Sequence, residues 1–492
     1  MSEQNIQTPK STEPRETINP EMASDSLSKK ALRRFKKNIP AVIGFWIIIL
    51  SILVAFLGYL VTPDKTRFAD DQVLELDRKS PGFKMQMLKV RKNRNIPKPA
   101  WGFLSTMFTG KENPYQLVPI NGYEFNNNGD VVVEQYVGDD IPGDSKAYSL
   151  ADVVFAKSIY KNEIENIGNG KLQYYDVNDE LQQVDWKALQ AQVVDKNIVT
   201  KKYLFGTDGY GRDMFSRLLI GVRVSLAVGL IAVFIALLIG LTLGALSGYF
   251  LNNEPLLERG LGLAIFSFVF ALFFKVMGEP ITALIFVILG LLLVTWGILR
   301  AKGIVNFGSK MKIPVDELIM WFINVVWSVP TILLAMSLGF VLSSVEWLNP
   351  FYVIFIAVGL SMWVEVARIV RGQILSIKEQ EFVTASKSMG FNDFRTIFRH
   401  ILPNIFGPIM VIAAATFATA ILVEAGLSFL GIGVQPPRPS WGNMLQDNLT
   451  QLYGNNDSML AIIPGLAIMI MVLAFNLVGN GLRDAMDVKG KL

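Results

Sequence analysis

The sequence contains no cysteine and one histidine, His400. Disulfides, thiolate metal sites and cysteine nucleophiles are therefore excluded, and neither a histidine-rich metal site nor a Ser-His-Asp triad has more than His400 to draw on. Charge is scarce too: Asp, Glu, Lys and Arg make up 18% of the residues, and a formal net charge of +4, unevenly spread, speaks for membrane orientation rather than nucleic acid. The start of the chain lacks the short basic-then-apolar pattern of a cleaved signal peptide. Its polar, Ser/Thr/Pro-rich lead to Ser28 is expected to remain, largely disordered. A phosphate-binding loop is missing as well: the nearest approach, Gly303 to Lys310, carries Ser309 where lysine is required. Without a strand before it and a helix after it, that loop could not aim backbone amides at phosphate, which excludes ATP hydrolysis by that route.

Apolar sequence is what the chain has in abundance. Hydrophobic residues make up 51%, and several runs reach the ~20 residues that span a bilayer. The first, Pro40 to Val61, follows Lys29, Lys30, Arg33, Arg34, Lys36 and Lys37, a cluster that puts the N-terminus in the cytoplasm. From Thr62 to about Phe205 the polarity is mixed over a stretch too long for a connecting loop, and an α+β extracytoplasmic domain is expected. Asn126 to Asp130 reads as a turn entering a strand over Val131 to Val137, Leu172 to Val184 as a strand pair, and Trp186 to Val194 as a short helix. The basic, Pro-bearing stretch Lys84 to Lys98 reads as surface or linker, with a lipid-binding patch as the alternative.

Leu218 to Phe250 is the expected second span, with Gly240, Gly244 and Gly248 on one face, either a close-packing seam or a chance spacing. Gly260 to Val276 and Ile281 to Leu299 form an apolar hairpin, followed by the basic Arg300, Lys302, Lys310 and Lys312. Leu318 to Leu342, Pro350 to Val370, Asn404 to Ala425 and Ala461 to Gly479 complete the spans, and Arg483, Lys489 and Lys491 leave the C-terminus inside. At the outer mouth of the second span, Arg212, Arg217 and Arg223 either snorkel to headgroups or pair with Asp208, Asp213 or a partner subunit. Glu365 and Glu424 are the intramembrane carboxylates. Each either lines a path or pairs with a nearby arginine such as Arg368.

Between two spans lies the polar segment Glu381 to Pro403. Phe382, Ala385 and Met389 share one helical face, with Lys378, Glu379, Glu381 and Lys387 on polar faces. Gly390 stops this helix, Asn392-Asp393 caps a second over Phe394 to Ile401, and Pro403 ends it. The reading is a docking helix-turn-helix with the small Ala385 and Ser386 at its exposed centre; an amphipathic helix lying on the membrane is the alternative.

This segment resembles the coupling loop of ABC-importer permeases, whose pattern is Glu-Ala-Ala, three residues, Gly, nine residues, then Ile-x-Leu-Pro. Thr384, Ala385, Ser386, Gly390, His400, Leu402 and Pro403 fall on it, with Thr384, Ser386 and His400 as departures. FGTDGYGRDMFSRLLIGVRVSLAVG from Phe205, RIVRGQILSIKEQEFVTASKSMGF, FRHILPN, ILVEAGLSFLGIGVQPPRPSWGNML from Ile421, and FNLVGNGLRDAMD resemble signatures of the C-type permease of oligopeptide, dipeptide and nickel importers. The tail departs at Asn480 and Val488.

The resemblance implies an all-α polytopic membrane protein of six family helices, here with an extra two-helix hairpin and the α+β insert. The implied organisation is a cytoplasmic disordered tail over 1–39, a first transmembrane helix over 40–61 and an extracytoplasmic insert over 62–205. After these come a signature segment with the second helix over 206–250, an inserted hairpin with a basic cytoplasmic loop over 251–314, and a permease core over 315–492 with its coupling loop at 378–403. The implied function is a peptide-translocating subunit of the bacterial cytoplasmic (inner) membrane, multi-pass with both termini cytoplasmic; nickel or another small solute is the alternative cargo. A scaffold that uses the insert for assembly, or an exporter component, are the rivals.

ATP and Mg would sit on partner ATPases, leaving this chain without cofactor, metal or catalytic residue. The implied partners are a second permease subunit in a heterodimer, two ATPase subunits, an extracytoplasmic solute-binding protein and the lipid bilayer, with no nucleic acid. Glu381, Thr384, Ala385, Ser386, Gly390, His400, Leu402 and Pro403 would couple to the ATPases. Gly206, Asp208, Gly211, Arg212, Asp213, Arg217, Arg223, Glu424 and Trp441 would form the outer signature and gate, with Leu427 to Trp441 folding over the translocation mouth.

Overall fold

The structure is a computed structural model, and it describes residues 27–94, 96, 102–139, 141–161, 163–251, 256–257, 264, 267–268, 270–272, 275, 279–301, 311–312, 314–449 and 459–486. Much of the first limb of the expected hairpin, the P-loop-like stretch 302–310 and the basic tail beyond Met486 lie outside those residues.

Helix α1 (Leu27–Lys37) turns part of the expected disordered tail into a basic helix. Asn38 then caps α2 (Ile39–Val61), its side chain accepting from the Ala41 amide. The insert follows: β1 (Lys84–Arg91), α3 (Gly102–Thr109), β2 (Tyr115–Phe125), β3 (Asp130–Gln135), β4 (Asp144–Ser149), α4 (Leu150–Val154), β5 (Glu165–Gly168), β6 (Lys171–Tyr175), β7 (Leu181–Asp185), α5 (Trp186–Gln192) and β8 (Ile198–Lys202). The expected Val131 strand, the Leu172 to Val184 pair and the Trp186 helix are all present. Lys84 to Arg91 corrects the surface-or-linker reading. It is a strand inside a five-stranded antiparallel sheet of order β4-β3-β2-β1-β8, with Met87 and Leu88 fully buried.

Pairing of β8 beside β1, with Met87 opposite Val199 and Lys84 opposite Lys202, brings the end of the insert back to its beginning. A long insertion thus leaves and re-enters the helical part at one place. A second, three-stranded sheet of order β5-β6-β7 contributes Leu172 and Tyr174 to the same apolar core as Leu88, Val131 and Leu150.

The helical part comprises α6 (Met214–Phe250), α7 (Pro280–Ala301), α8 (Val315–Trp327), α9 (Thr331–Ser343), α10 (Pro350–Lys378), α11 (Glu381–Ser388), α12 (Asp393–Thr396), α13 (Phe406–Phe429), α14 (Trp441–Asp447) and α15 (Met459–Met486). Among the described residues five helices are long and apolar enough to cross a membrane, or six if the bent pair α8–α9 counts as one span. That pair corrects the expected straight span Leu318 to Leu342. The chain breaks at Ser328-Val329-Pro330 and bends by 92°, because Pro330 has no amide to donate and its ring opposes continuation of the preceding turn.

The glycine spacing on α6 is a packing seam. A Cβ on Gly240 would lie 2.6 Å from Val366 Cβ, one on Gly244 2.5 Å from the Ala367 carbonyl, and one on Gly248 2.9 Å from the Arg371 carbonyl, all on α10. Backbone is the obstacle at Gly244, so the helices must separate to admit a side chain. Gly244→Leu is expected to cost about 3 kcal/mol by overpacking, read as a lowered thermal midpoint of the detergent-purified chain. Gly372→Leu, at a glycine with nothing within 4 Å of its Cβ position, is the control expected to change little.

Candidate functional site

Two clusters carry the singled-out residues, one at each end of the helical part. At the end away from the insert, α11 and α12 form the expected helix-turn-helix. Gly390 sits at φ +78°, a left-handed conformation that favours glycine, and ends the first helix. Asn392 caps the second, its side chain accepting from the Arg395 amide at 2.8 Å. Beyond α12 the helix widens into a π-helical turn over Ile397–Ile401, narrows again over Leu402–Ile405, where Leu402 is partly buried, and runs on into α13. Pro403, which is exposed, therefore does not end the helix as expected: proline in a first turn gives up only an amide that has no partner there.

This segment is fastened to the end of α6. Tyr249 donates to Asp393 Oδ1 at 2.6 Å, Lys387 lies 4.9 Å from the Tyr249 ring centre, and Lys378 Nζ donates to the Leu251 carbonyl at 2.5 Å. Arg371 grips Asp316 with two bonds of 2.6 and 2.7 Å, and Ser247 donates to the same carboxylate, so α6, α8 and α10 meet at one ion pair. His400 stacks on Phe391 at 5.5 Å between centroids, and Arg395 lies over the same Phe391 ring at 4.4 Å. Sequence reasoning missed Tyr249 and Asp316, and took Asp393 for a helix cap without its bond to Tyr249. The only signal was their position at helix ends beside the polar segment.

One residue of the docking surface is corrected. Ser386 is not at the exposed centre: it is 1% exposed, faces Thr396 across 3.2 Å and packs inward with Val383. Glu381, Thr384 and Ala385 are exposed. So is the apolar face drawn from the sequence: Phe382 and Met389 stand open, joined by Phe394 and Phe398 from the second helix. A polar helix held by hydrogen bonds and a cation–ring contact thus presents an uncovered aromatic and methionine surface, the composition of a protein interface.

At the insert end, residues 206–213 make a tight loop closed by a bridge between Thr207 and Asp213. Glycine is needed twice. A Cβ on Gly206 would lie 2.1 Å from the Lys79 carbonyl and one on Gly211 1.7 Å from the Val73 carbonyl, both at positive φ. Asp208 holds the loop by accepting from the amides of Tyr210 and Arg212 at 2.9 and 3.0 Å. Its other oxygen meets Arg212 Nε at 2.7 Å and Arg217 Nε at 3.3 Å. Arg212 also reaches Asp70 at 3.2 Å and Asp447 at 3.3 Å, tying the start of the insert, the loop and α14 together.

Burial works against the Arg212 charge, yet Asp208 and Asp70 hold its pKa above the ordinary arginine value. Burial raises Asp447 and Asp213 above the usual carboxylate range. Asp213 caps α6 by accepting from the Ser216 amide at 3.1 Å. The arginine alternatives therefore divide. Arg212 and Arg217 are buried and paired, while Arg223 donates to the carbonyls of Phe56, Met107 and Phe108, and to that of Ala55, clamping α2 to α3.

Trp441 is buried and donates to the Leu218 carbonyl at 3.1 Å, anchoring the Gly/Pro-rich loop on α6. Glu424 is met by serine rather than by the arginine that the pairing reading expected. It is fully buried, and Ser428 donates to it at 2.8 Å. Among the described residues no group of three or more His, Cys, Asp or Glu could hold a metal ion.

Spans bundled on a glycine seam, with a folded β-sheet insert and an exposed helix pair, define a polytopic α-helical membrane protein. The family model described as "Binding-protein-dependent transport system inner membrane component" matches residues 296–489, and that described as "N-terminal TM domain of oligopeptide transport permease C" matches 26–81. The oligopeptide transport system permease protein OppC of Bacillus subtilis is 33% identical over 290 residues, 59% of this chain and 73% of the relative. The glutathione transport system permease protein GsiD of Pectobacterium atrosepticum is 33% identical over 286 residues, 58% and 72% of the two chains. OppC of Haemophilus influenzae is 32% identical over 311 residues, 62% and 76%. A solved structure of the MetNI methionine ABC transporter aligns over 56% of this chain and 97% of that one at 16% identity, with a TM-score of 0.38 too low to carry an argument.

The chain belongs to the C-type permease subunits of the peptide (Opp/Dpp/Gsi) family of ABC importers. It is a multi-pass inner-membrane component of a multi-subunit transporter.

Proposed function

We propose that this chain is one of two permease subunits of an ATP-driven peptide importer in a bacterial cytoplasmic membrane, with both termini cytoplasmic and no nucleotide site of its own. A second permease completes the path, two ATPase subunits drive it, and an extracytoplasmic solute-binding protein delivers substrate on the insert side. The observation that supports this reading best is the open face of Phe382, Ala385 and Met389, with Met389 65% and Phe394 69% exposed, on a segment bolted to α6 through Tyr249 and Asp393. An ATPase cleft that takes this face and closes on nucleotide would push on α6 and α10 together. Transport then follows from contacts that differ between the two ATPase states. At the other end, the Arg212 cluster joins the insert to α14, so a protein docking on the insert bears on the Gly/Pro-rich loop that Trp441 anchors. We propose this loop as the outer gate.

The test is extraction in mild detergent and identification of what remains bound, comparing the native chain with the double variant Phe382→Ser, Met389→Ser. Recovery of a second permease and two ATPases with the native chain, and selective loss of the ATPases from the variant, is the expected result. Recovery of the chain alone, or with adhesion partners, would turn the assignment toward a scaffold.

A further inference from the structure

The break in the α8–α9 pair lies beside a carboxylate for which the packing supplies no partner. Glu365, midway along α10, is exposed, although its neighbours Val364 and Val366 are buried in the helical core. Among the described residues no hydrogen bond or ion pair reaches its carboxylate. Arg368, one turn along, is turned onto the Trp327 ring at 4.3 Å. Glu365 borders a notch of about 30 Å³, whose lining also includes Trp327, Thr331, Ser361, Thr416 and Thr419. That volume holds one water or one ammonium group.

Two independent features exclude lipid from this face. Non-helical backbone at membrane depth is tolerated only where protein or a water-filled cavity covers it, and Ser328, Val329 and Pro330 are exposed here. An ionisable side chain in a span likewise faces a bundle interior or an aqueous path. A hydroxyl-bearing rim with one negative charge and room for a small cation matches one kind of ligand group.

We propose that Glu365 is a cation-accepting subsite on the translocation path, taking the ammonium group of a substrate, whether an amino terminus or a lysine side chain, as it passes the break between α8 and α9. This rests on the peptide-importer reading and adds a recognition step inside the permease. Thr331 and Thr419, which line the notch with Glu365, carry hydroxyls that can replace hydration water.

Two measurements on the complete transporter test it. In proteoliposomes, Glu365→Gln is expected to lower uptake of tri-alanine about tenfold relative to the native complex, with uptake of N-acetyl-tri-alanine unchanged. Discrimination by the binding protein is the same in both complexes and cancels in the ratio. Equal losses for the two peptides, or none, would overturn the proposal.

Because the native chain has no cysteine, Glu365→Cys gives this subunit a single thiol. A cationic thiosulfonate is expected to modify it in the assembled complex, at least about tenfold more slowly with saturating tri-alanine. Absence of modification would mean that the partner permease covers the position, and modification indifferent to peptide would mean a path without a subsite; either result overturns the proposal. A complex that moves no peptide at all would refute the importer reading, while the labelling still decides whether the position lines an aqueous path that substrate occupies.

Discussion

Asp208→Ala is expected to destabilise the chain by about 3–5 kcal/mol, because removing one partner of a buried pair strands the other charge. Arg217 is 2% exposed, and its nearest carboxylate is Asp208 at 3.3 Å. Arg212 would keep Asp70 and Asp447, so the loss falls mainly on Arg217 and on the loop amides of Tyr210 and Arg212. Asp208→Asn retains an acceptor for those amides and should lose less. Adding Arg217→Met to Asp208→Ala should restore much of the stability, since an apolar side chain of similar length leaves no charge behind. The measurement is the thermal midpoint of the three variants in detergent. A double variant no better than the single would mean that the stranded arginine is not the cause.

The second large effect is functional. Gly390→Trp should leave the fold standing, because nothing lies within 4 Å of a Cβ at this position and the φ of +78° adds strain of about 1–2 kcal/mol. An indole beside Met389 would nevertheless occupy space that a docked ATPase needs. Loss of about 2 kcal/mol at the centre of such an interface corresponds to roughly 30-fold weaker association. Peptide uptake should fall accordingly, while the thermal midpoint of the isolated subunit changes modestly. Normal ATPase recovery and normal uptake in Gly390→Trp would remove the docking role from this segment.

The parts of the molecule legible in the sequence are those set by local physics. Apolar runs marked α2, α6, α10, α13 and α15, since burial in lipid needs only length and composition. Gly390 and Asn392 marked the helix-turn-helix because stop and cap signals act on neighbouring residues, whereas Pro403 misled, since the helix runs through it into α13. The long-range pairings were not legible. Arg212 meets Asp70 and Asp447, 142 and 235 residues away, and no local pattern selects them from other acids. Ser386 was placed outward because small residues at a helix centre suit an interface. What turns it inward is Thr396 on the next helix, a contact fixed only when the two helices fold together. Lys84 to Arg91 carries alternating apolar residues, Met85 and Met87 among lysines, but its charges and the nearby Pro97 and Pro99 outweighed that period. The break at Pro330 sits inside an apolar run whose hydropathy gives no sign of a 92° bend.

The most direct measurement is ATP-dependent uptake by the complete transporter in proteoliposomes, with ATP enclosed and the binding protein and labelled peptide outside. Accumulation of peptide that requires ATP, the binding protein and an intact Glu381 to Pro403 segment is the predicted result. Nucleotide-independent equilibration, outward movement of enclosed peptide, or uptake indifferent to that segment would contradict the account.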